Sequence, residues 1–218
     1  MSFRKLFLAD WPLLLLIVLS LGLSLFAYPH LPARIPVHWG LNGQPNRYGP
    51  PWTGAFMPGL LALGIYLLFC VLPLVDPRQR NYQAFLPLYR LLRWLVVLIT
   101  LLTGGLTLSA GLGYHPPVGT IVRSAVALLI LITGNFLGKV QPNWFVGIRT
   151  PWTLASEEVW HQTHRLAAPL WVAGGIVLLA ISFLPSPSAA LPYFACLAVL
   201  VLVPIVHSYL VWARLPKK

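Results

Sequence analysis

Charged residues are scarce in this chain of 218 residues: they make up 9% of it, and only four of them are acidic. A soluble domain carries roughly 25% charged residues to keep its surface hydrated, so the composition excludes a soluble globular fold. The two cysteines, Cys70 and Cys196, both lie inside apolar runs, which excludes a disulfide framework and a zinc site made of thiolates. The 58% hydrophobic content is typical of a helical membrane protein.

Catalytic motifs are also missing. The sequence contains no GxSxG, HExxH or GxxxxGK pattern, and its few acids leave little choice of general acid or base. We therefore predict no catalytic residue, no cofactor and no enzymatic activity. A membrane enzyme remains one alternative. A small-molecule or ion transporter is another, although few ionisable residues fall inside the apolar runs, where transport pathways usually place them.

The apolar residues are gathered into six runs of about twenty, the length needed to cross a hydrocarbon core about 30 Å thick. This pattern predicts an all-α, polytopic integral membrane protein. Its predicted transmembrane helices cover residues 11–28, 53–75, 88–113, 118–138, 166–184 and 191–212.

The basic residues are distributed unevenly between the two sides that six crossings define. Twelve lie on the side of the termini and three on the other, and basic loops favour the cytoplasm. We therefore predict a multi-pass membrane protein with both termini in the cytoplasm. The excess positive charge predicts contact with anionic lipids and no direct contact with nucleic acid. The twelve are Arg4, Lys5, Arg78, Arg80, Arg90, Arg93, Lys139, Arg149, Arg165, Arg214, Lys217 and Lys218; the three are Arg34, Arg47 and Arg123.

The predicted exoplasmic segment between the first two spans, the cap loop (residues 29–52), contains six prolines between positions 29 and 51. Prolines restrict the chain and Asn42-Gly43 supplies a turn, so we expect a compact cap on the helix ends. It is interpreted either as a structural lid or as a recognition surface for an external ligand. In the second case, the residues that recognise the ligand are His38, Trp39, Asn42 and Gly43.

The segment between the fourth and fifth spans, the motif loop (residues 139–165), is predicted to be cytoplasmic. Thr150 followed by Pro151 is a favourable helix start, and the residues beyond it predict an amphipathic helix on the inner leaflet. The loop is interpreted as a surface for a cytoplasmic partner, with lipid anchoring as the alternative. The candidate partner-binding residues are Asn143, Gly147, Arg149, Thr150, Pro151, Trp152, Trp160 and His164.

Three side chains in the same helix could face a metal ion. Glu157, His161 and His164 follow one another on successive helical turns, but they lack a thiolate and any known metalloprotease motif. We treat them as weak candidates and expect no bound metal.

Two stretches carry a resemblance to a known family. Residues 134–165 read GNxxxKxxPNWFVGIRTPWTLxSEEVWxxTHR and resemble the signature of the SdpI family of bacterial toxin-immunity membrane proteins. Residues 32–45 read PxxIPxHWGxNGxP and resemble the small membrane domain of unknown function that precedes it in many members. The resemblance predicts two membrane domains, residues 1–113 with the cap loop and residues 114–218 with the motif loop.

The resemblance also implies a function. It predicts an integral protein of the bacterial inner membrane that protects its cell against a toxic peptide arriving at the outer face. As in a well-known relative, such a protein can also act as a receptor that sequesters a cytoplasmic transcriptional repressor when toxin is present.

Overall fold

A computed structural model of the protein describes residues 10–216, and within these residues six helices are long and apolar enough to cross a membrane. The predicted all-α, multi-pass fold is therefore confirmed. Arg4, Lys5, Lys217 and Lys218, which enter the orientation prediction, lie outside the described residues. The long helices are α1 (Trp11–Ala27), α2 (Pro51–Val75), α3 (Leu86–Gly111), α4 (Val118–Leu137), α6 (Glu157–Ser182) and α7 (Ser186–Arg214); α5 (Pro151–Ala155) is short, and 3₁₀ helices cover Tyr28–His30 and Gln79–Phe85.

The cap loop forms a β-hairpin, which the sequence analysis did not predict. Strand β1 (Ile35–Trp39) pairs antiparallel with β2 (Pro45–Gly49), and Ile35 lies opposite Gly49. In the turn between the strands Gly43 has a φ of 76°, a conformation that favours glycine. The backbone N–H of Gly40 donates to the carbonyl of Gln44 across this turn, at 2.9 Å.

The chain divides into two compact units. One contains the chain up to Val71 together with Arg93–Val122, and the other contains Leu72–Leu92 and the chain from Arg123 onward. The segment between α2 and α3 thus belongs with the C-terminal helices. The sequence-based division after residue 113 stays a prediction.

In the second unit, small residues allow α4 and α6 to pack closely. A Cβ atom at Gly175 would lie 2.7 Å from the backbone Cα of Leu131, so the two helices meet backbone to backbone. Arg123, at the start of α4, donates to the carbonyls of Ser182 and Leu184 at 3.2 and 3.3 Å. These bonds satisfy carbonyls that the end of α6 leaves without helical partners.

The first unit contains a fully buried ion pair, Arg93 with Asp10. The indole N–H of Trp94 donates to the same carboxylate at 3.0 Å, and the guanidinium lies 5.4 Å from the centre of the Tyr66 ring. The sequence analysis placed Arg93 among the residues of a basic flank and did not predict the pair. Two ionisable groups are therefore buried among the helices, where the sequence analysis expected few.

Replacing Arg93 alone should destabilise the protein strongly. Arg93→Met leaves the buried Asp10 carboxylate without its cation, which costs about 3–5 kcal/mol in comparable sites. We expect the thermal midpoint of the detergent-purified protein to fall by several degrees. The double variant Arg93→Met/Asp10→Asn removes both charges and should recover most of the loss. Equal midpoints for the single and double variants would contradict a stabilising ion pair.

Candidate functional site

The motif loop is an irregular segment followed by two helices, and Asn143 organises its first turn. The Asn143 side chain is fully buried. Its carbonyl oxygen accepts from the backbone N–H groups of Phe145 and Val146 at 2.9 and 2.6 Å, and its amide donates to the carbonyls of Val146 and Gln141 at 2.8 and 2.9 Å. All the hydrogen-bonding capacity of the side chain is used within the loop. Asn143 is therefore a structural residue of the loop.

His164 fixes the next part of the loop from the first turns of α6. Its Nε2 accepts from the backbone N–H of Ile148 at 3.0 Å, and its Nδ1 lies 2.8 Å from the carbonyl of Trp160. A ring that accepts at Nε2 and faces a carbonyl at Nδ1 must be neutral, with its proton on Nδ1. His164 thus stabilises the loop in one defined tautomer.

Trp160 lies beneath the loop and is fully buried. Its ring stacks on that of His164 with centroids 4.2 Å apart, and its indole N–H donates to the carbonyl of Val140 at 2.8 Å. The sequence-based interpretation placed Trp160 and His164 on a partner-binding surface. Their burial corrects this interpretation, because both side chains support the loop from within and offer no exposed area.

Gly147 packs directly on this pair. Its φ is +118°, and a Cβ atom there would lie 2.5 Å from Nε2 of His164 and 3.2 Å from the Trp160 ring. Both the backbone conformation and the lack of space require glycine at this position.

Two helix starts follow one another at the end of the loop. Thr150 caps α5, as predicted, in a reciprocal capping box with Thr153, and its hydroxyl lies 3.1 Å from that of Ser208 on α7. Ser156 then caps α6 by accepting from the N–H of Val159. The single amphipathic helix expected from Thr150 onward is therefore two helices, because Ser156 adopts an extended conformation and starts a new one.

In the irregular segment ahead of α5, residues 140–150, the exposed residues are Trp144, Gly147 and Arg149. The Trp144 side chain is 46% exposed, and the Arg149 guanidinium donates to its carbonyl at 2.6 Å. Trp152, half-buried, packs edge-on against Tyr209 with ring centroids 5.2 Å apart. Arg149 is thus exposed and Trp152 half-buried, and their role in partner binding stays a prediction. Among the tryptophans of the loop, Trp144 is exposed and Trp160 is buried.

The structure also bears on the weak metal candidates. Glu157 and His161 are exposed near the start of α6. Both ring nitrogens of His164 are already hydrogen-bonded within the loop, so metal ligation by His164 would break one of these bonds.

A second segment, missed by the sequence analysis, contacts the motif loop within the same unit. The buried carboxylate of Asp76 accepts from the backbone N–H of Trp144 at 2.9 Å. Asn81 donates to the carbonyl of Pro142 at 2.7 Å, and Arg78 donates to that of Leu154 at 3.3 Å. Asp76 is one of only four acidic residues in the chain, and this scarcity was the signal in the sequence that could have marked it as important.

On the cap-loop hairpin, the predicted ligand-recognition residues lie on β1 and in its turn. His38 is exposed, and its Nδ1 lies 2.6 Å from the side-chain oxygen of Asn46. Asn42 accepts from the backbone N–H of Gln44 at 3.1 Å, and Trp39 is half-buried. The hairpin brings His38 and the Asn42-Gly43 turn onto one small element.

Gly147→Ala should loosen the motif loop. The added methyl group meets His164 and Trp160, and alanine at a positive φ costs about 1–2 kcal/mol by itself. We expect faster tryptic cleavage at Arg149 and a lower thermal midpoint. Gly138→Ala is the matched control, since a Cβ atom there would make an ordinary 3.7 Å contact with Ala168. Parental cleavage rates for both variants would contradict the tight packing at Gly147.

Comparison with known proteins matches both signature stretches. Residues 139–208 match the SdpI/YfhL protein family, and residues 15–63 match a domain of unknown function, DUF1648. Immunity protein SdpI of Bacillus subtilis (strain 168) is 29% identical over 170 residues, which are 78% of this chain and 79% of that protein. No solved structure matches the chain. The chain is therefore similar to the SdpI/YfhL protein family over residues 139–208 and to DUF1648 over residues 15–63.

Proposed function

We propose that this protein is a membrane immunity protein without enzymatic activity, which protects its cell against a toxic peptide. The observation that carries the proposal is the motif loop, in which buried family-signature residues hold Trp144 and Arg149 in exposed positions. The similarity to an immunity protein of Bacillus subtilis supports the same function. Arginine and tryptophan are common anchors of protein interfaces, which favours a binding role for this surface.

The proposal includes an orientation. Both termini and the motif loop face the cytoplasm, and the cap-loop hairpin faces outward in the inner membrane. The unequal distribution of basic residues supports this orientation. It also places most of the positive charge beside anionic lipid headgroups.

The two loops have different roles in this proposal. The hairpin, with His38, Trp39 and the Asn42-Gly43 turn, receives the toxic peptide. The motif loop, with Arg149 and Trp152, contacts a cytoplasmic partner, for which a transcriptional repressor is the proposed identity. The exposure of His38 and Arg149 supports their access to ligands.

A reporter fusion tests the orientation. A reporter that is active only in the periplasm should stay silent when fused after Lys218, because six crossings return the chain to the cytoplasm. The same reporter inserted in the hairpin turn after Gly43 should be active. A strong signal from the C-terminal fusion would show that the topology is inverted.

A survival assay tests the function. A Bacillus subtilis strain that lacks its own SdpI is given this chain. It is then exposed to the toxic agent against which SdpI gives immunity, supplied as medium conditioned by the SdpI-producing parent. The chain should raise survival, and Arg149→Ala should abolish this gain because it removes the guanidinium without disturbing the buried supports of the loop. His38→Ala should weaken protection by altering the receiving hairpin.

Abundance in the membrane and the thermal midpoint serve as controls for these variants. Both should stay near the parental values. If Arg149→Ala protects as well as the parent chain at equal abundance, the motif loop is not the functional surface, and lipid anchoring explains Arg149 better.

A further inference from the structure

The segment between α2 and α3 carries a buried acid that the proposed function has not used. Asp76 is 2% exposed, and it is the first residue after the end of α2 at Val75. Its two carboxylate oxygens accept from three neutral donors: the backbone N–H groups of Arg78 and Trp144, at 2.7 and 2.9 Å, and the hydroxyl of Tyr82, at 2.9 Å. The buried carboxylate thus pairs with donors from two separate segments of the chain.

Two of these donors are local, but Trp144 is 68 residues away along the chain. The bond to Trp144 therefore joins the end of α2 to the exposed part of the motif loop. Trp144 is bonded on both sides, since its N–H donates to Asp76 and its carbonyl accepts from Arg149. The position of Asp76 thus determines where the Trp144 and Arg149 side chains can lie.

We propose that Asp76 is a positioning residue, which holds the motif loop in its binding conformation through the Trp144 N–H. The structural part of this inference, the position of the loop, is independent of the proposed function. Only the expected loss of protection when the loop is misplaced rests on that function. Along the chain, β2 ends at Gly49, α2 runs from Pro51 to Val75, and Asp76 follows. In chain order, α2 therefore lies between the hairpin and Asp76.

The chemistry of the site requires a carboxylate. In Asp76→Asn, one of the two oxygens becomes an NH₂ group, which cannot accept a hydrogen bond. Whichever way the amide is turned, at least one of the three donors faces another donor. In one orientation the unpaired donor is the Trp144 N–H itself, and in the other it is the Arg78 N–H, whose repulsion displaces residue 76 together with its bond to Trp144. A buried donor without an acceptor is costly, so in both cases the loop should be held less firmly.

Hydrogen exchange of the full-length protein in detergent measures this directly. In Asp76→Asn, exchange of the amides in residues 143–149 should accelerate about tenfold or more, as expected when a bond to a charged acceptor is lost. Exchange within α4 and α6 should remain parental. Gln83→Ala, a change at an exposed residue of the same 3₁₀ helix, is the matched control and should leave the loop unchanged.

Tyr82→Phe provides a second variant with a graded effect. It removes the hydroxyl that shares the Oδ2 atom of Asp76 with the Trp144 N–H. This oxygen is then held less firmly, so exchange in residues 143–149 should accelerate, but by less than in Asp76→Asn. If Asp76→Asn cannot be recovered from membranes, this variant decides the matter: faster exchange in residues 143–149 supports the proposal, and parental exchange overturns it.

Survival of the same Bacillus subtilis strain in conditioned medium, measured with Asp76→Asn in place of the parent chain, tests whether a misplaced loop loses protection. Faster loop exchange together with lost protection supports a positioning role. Parental exchange in Asp76→Asn, or faster exchange with full protection, overturns it. If the parent chain itself gives no protection, the proposed function fails, and the exchange measurement alone decides whether Asp76 positions the loop.

Discussion

Irregular backbone that is buried in a protein must find its hydrogen-bond partners there, and this constraint shapes the motif loop. The buried N–H and C=O groups of such a segment have neither water nor the internal bonds of a helix as partners. In the loop, side chains satisfy these groups. Asn143 binds the N–H groups of the turn, His164 binds that of Ile148, and Asp76 binds that of Trp144. The sequence analysis interpreted Asn143 and His164 as partner-binding residues, because polar side chains in loops often bind ligands. Both side chains are buried. A signature motif can thus be mostly scaffold with a small exposed part.

How much could be predicted from the sequence depends on the range of the interaction. The six long helices were predictable because hydropathy and length act locally, and the cap at Thr150 was predictable because its partners lie within three residues. The hairpin was missed because prolines at positions 36 and 45 interrupt the alternation typical of strands. The break at Ser156 was missed because a second cap directly follows the first helix.

Long-range polar pairs were beyond such reasoning. Asp10 and Arg93 are 83 residues apart, and Asp76 and Trp144 are 68 apart. Neither pair has a spacing or motif that marks it, so the sequence could place each residue near a helix end but could not join them. The accessibility of Trp144 in place of Trp160 was likewise unpredictable, because both tryptophans lie in one signature and only the tertiary packing buries one of them.

The placement of the four acids bears on the kind of function the protein can have. Asp10 neutralises the buried Arg93, and Asp76 holds the segment before α3 and the motif loop. Glu157 and Glu158 lie in the first turn of α6, where negative charge is favourable to the helix dipole. A catalytic carboxylate would have to come from a group that already stabilises the fold or from an exposed helix start. Binding through the exposed tryptophan and arginine of the motif loop requires no such change, which favours an immunity function based on binding.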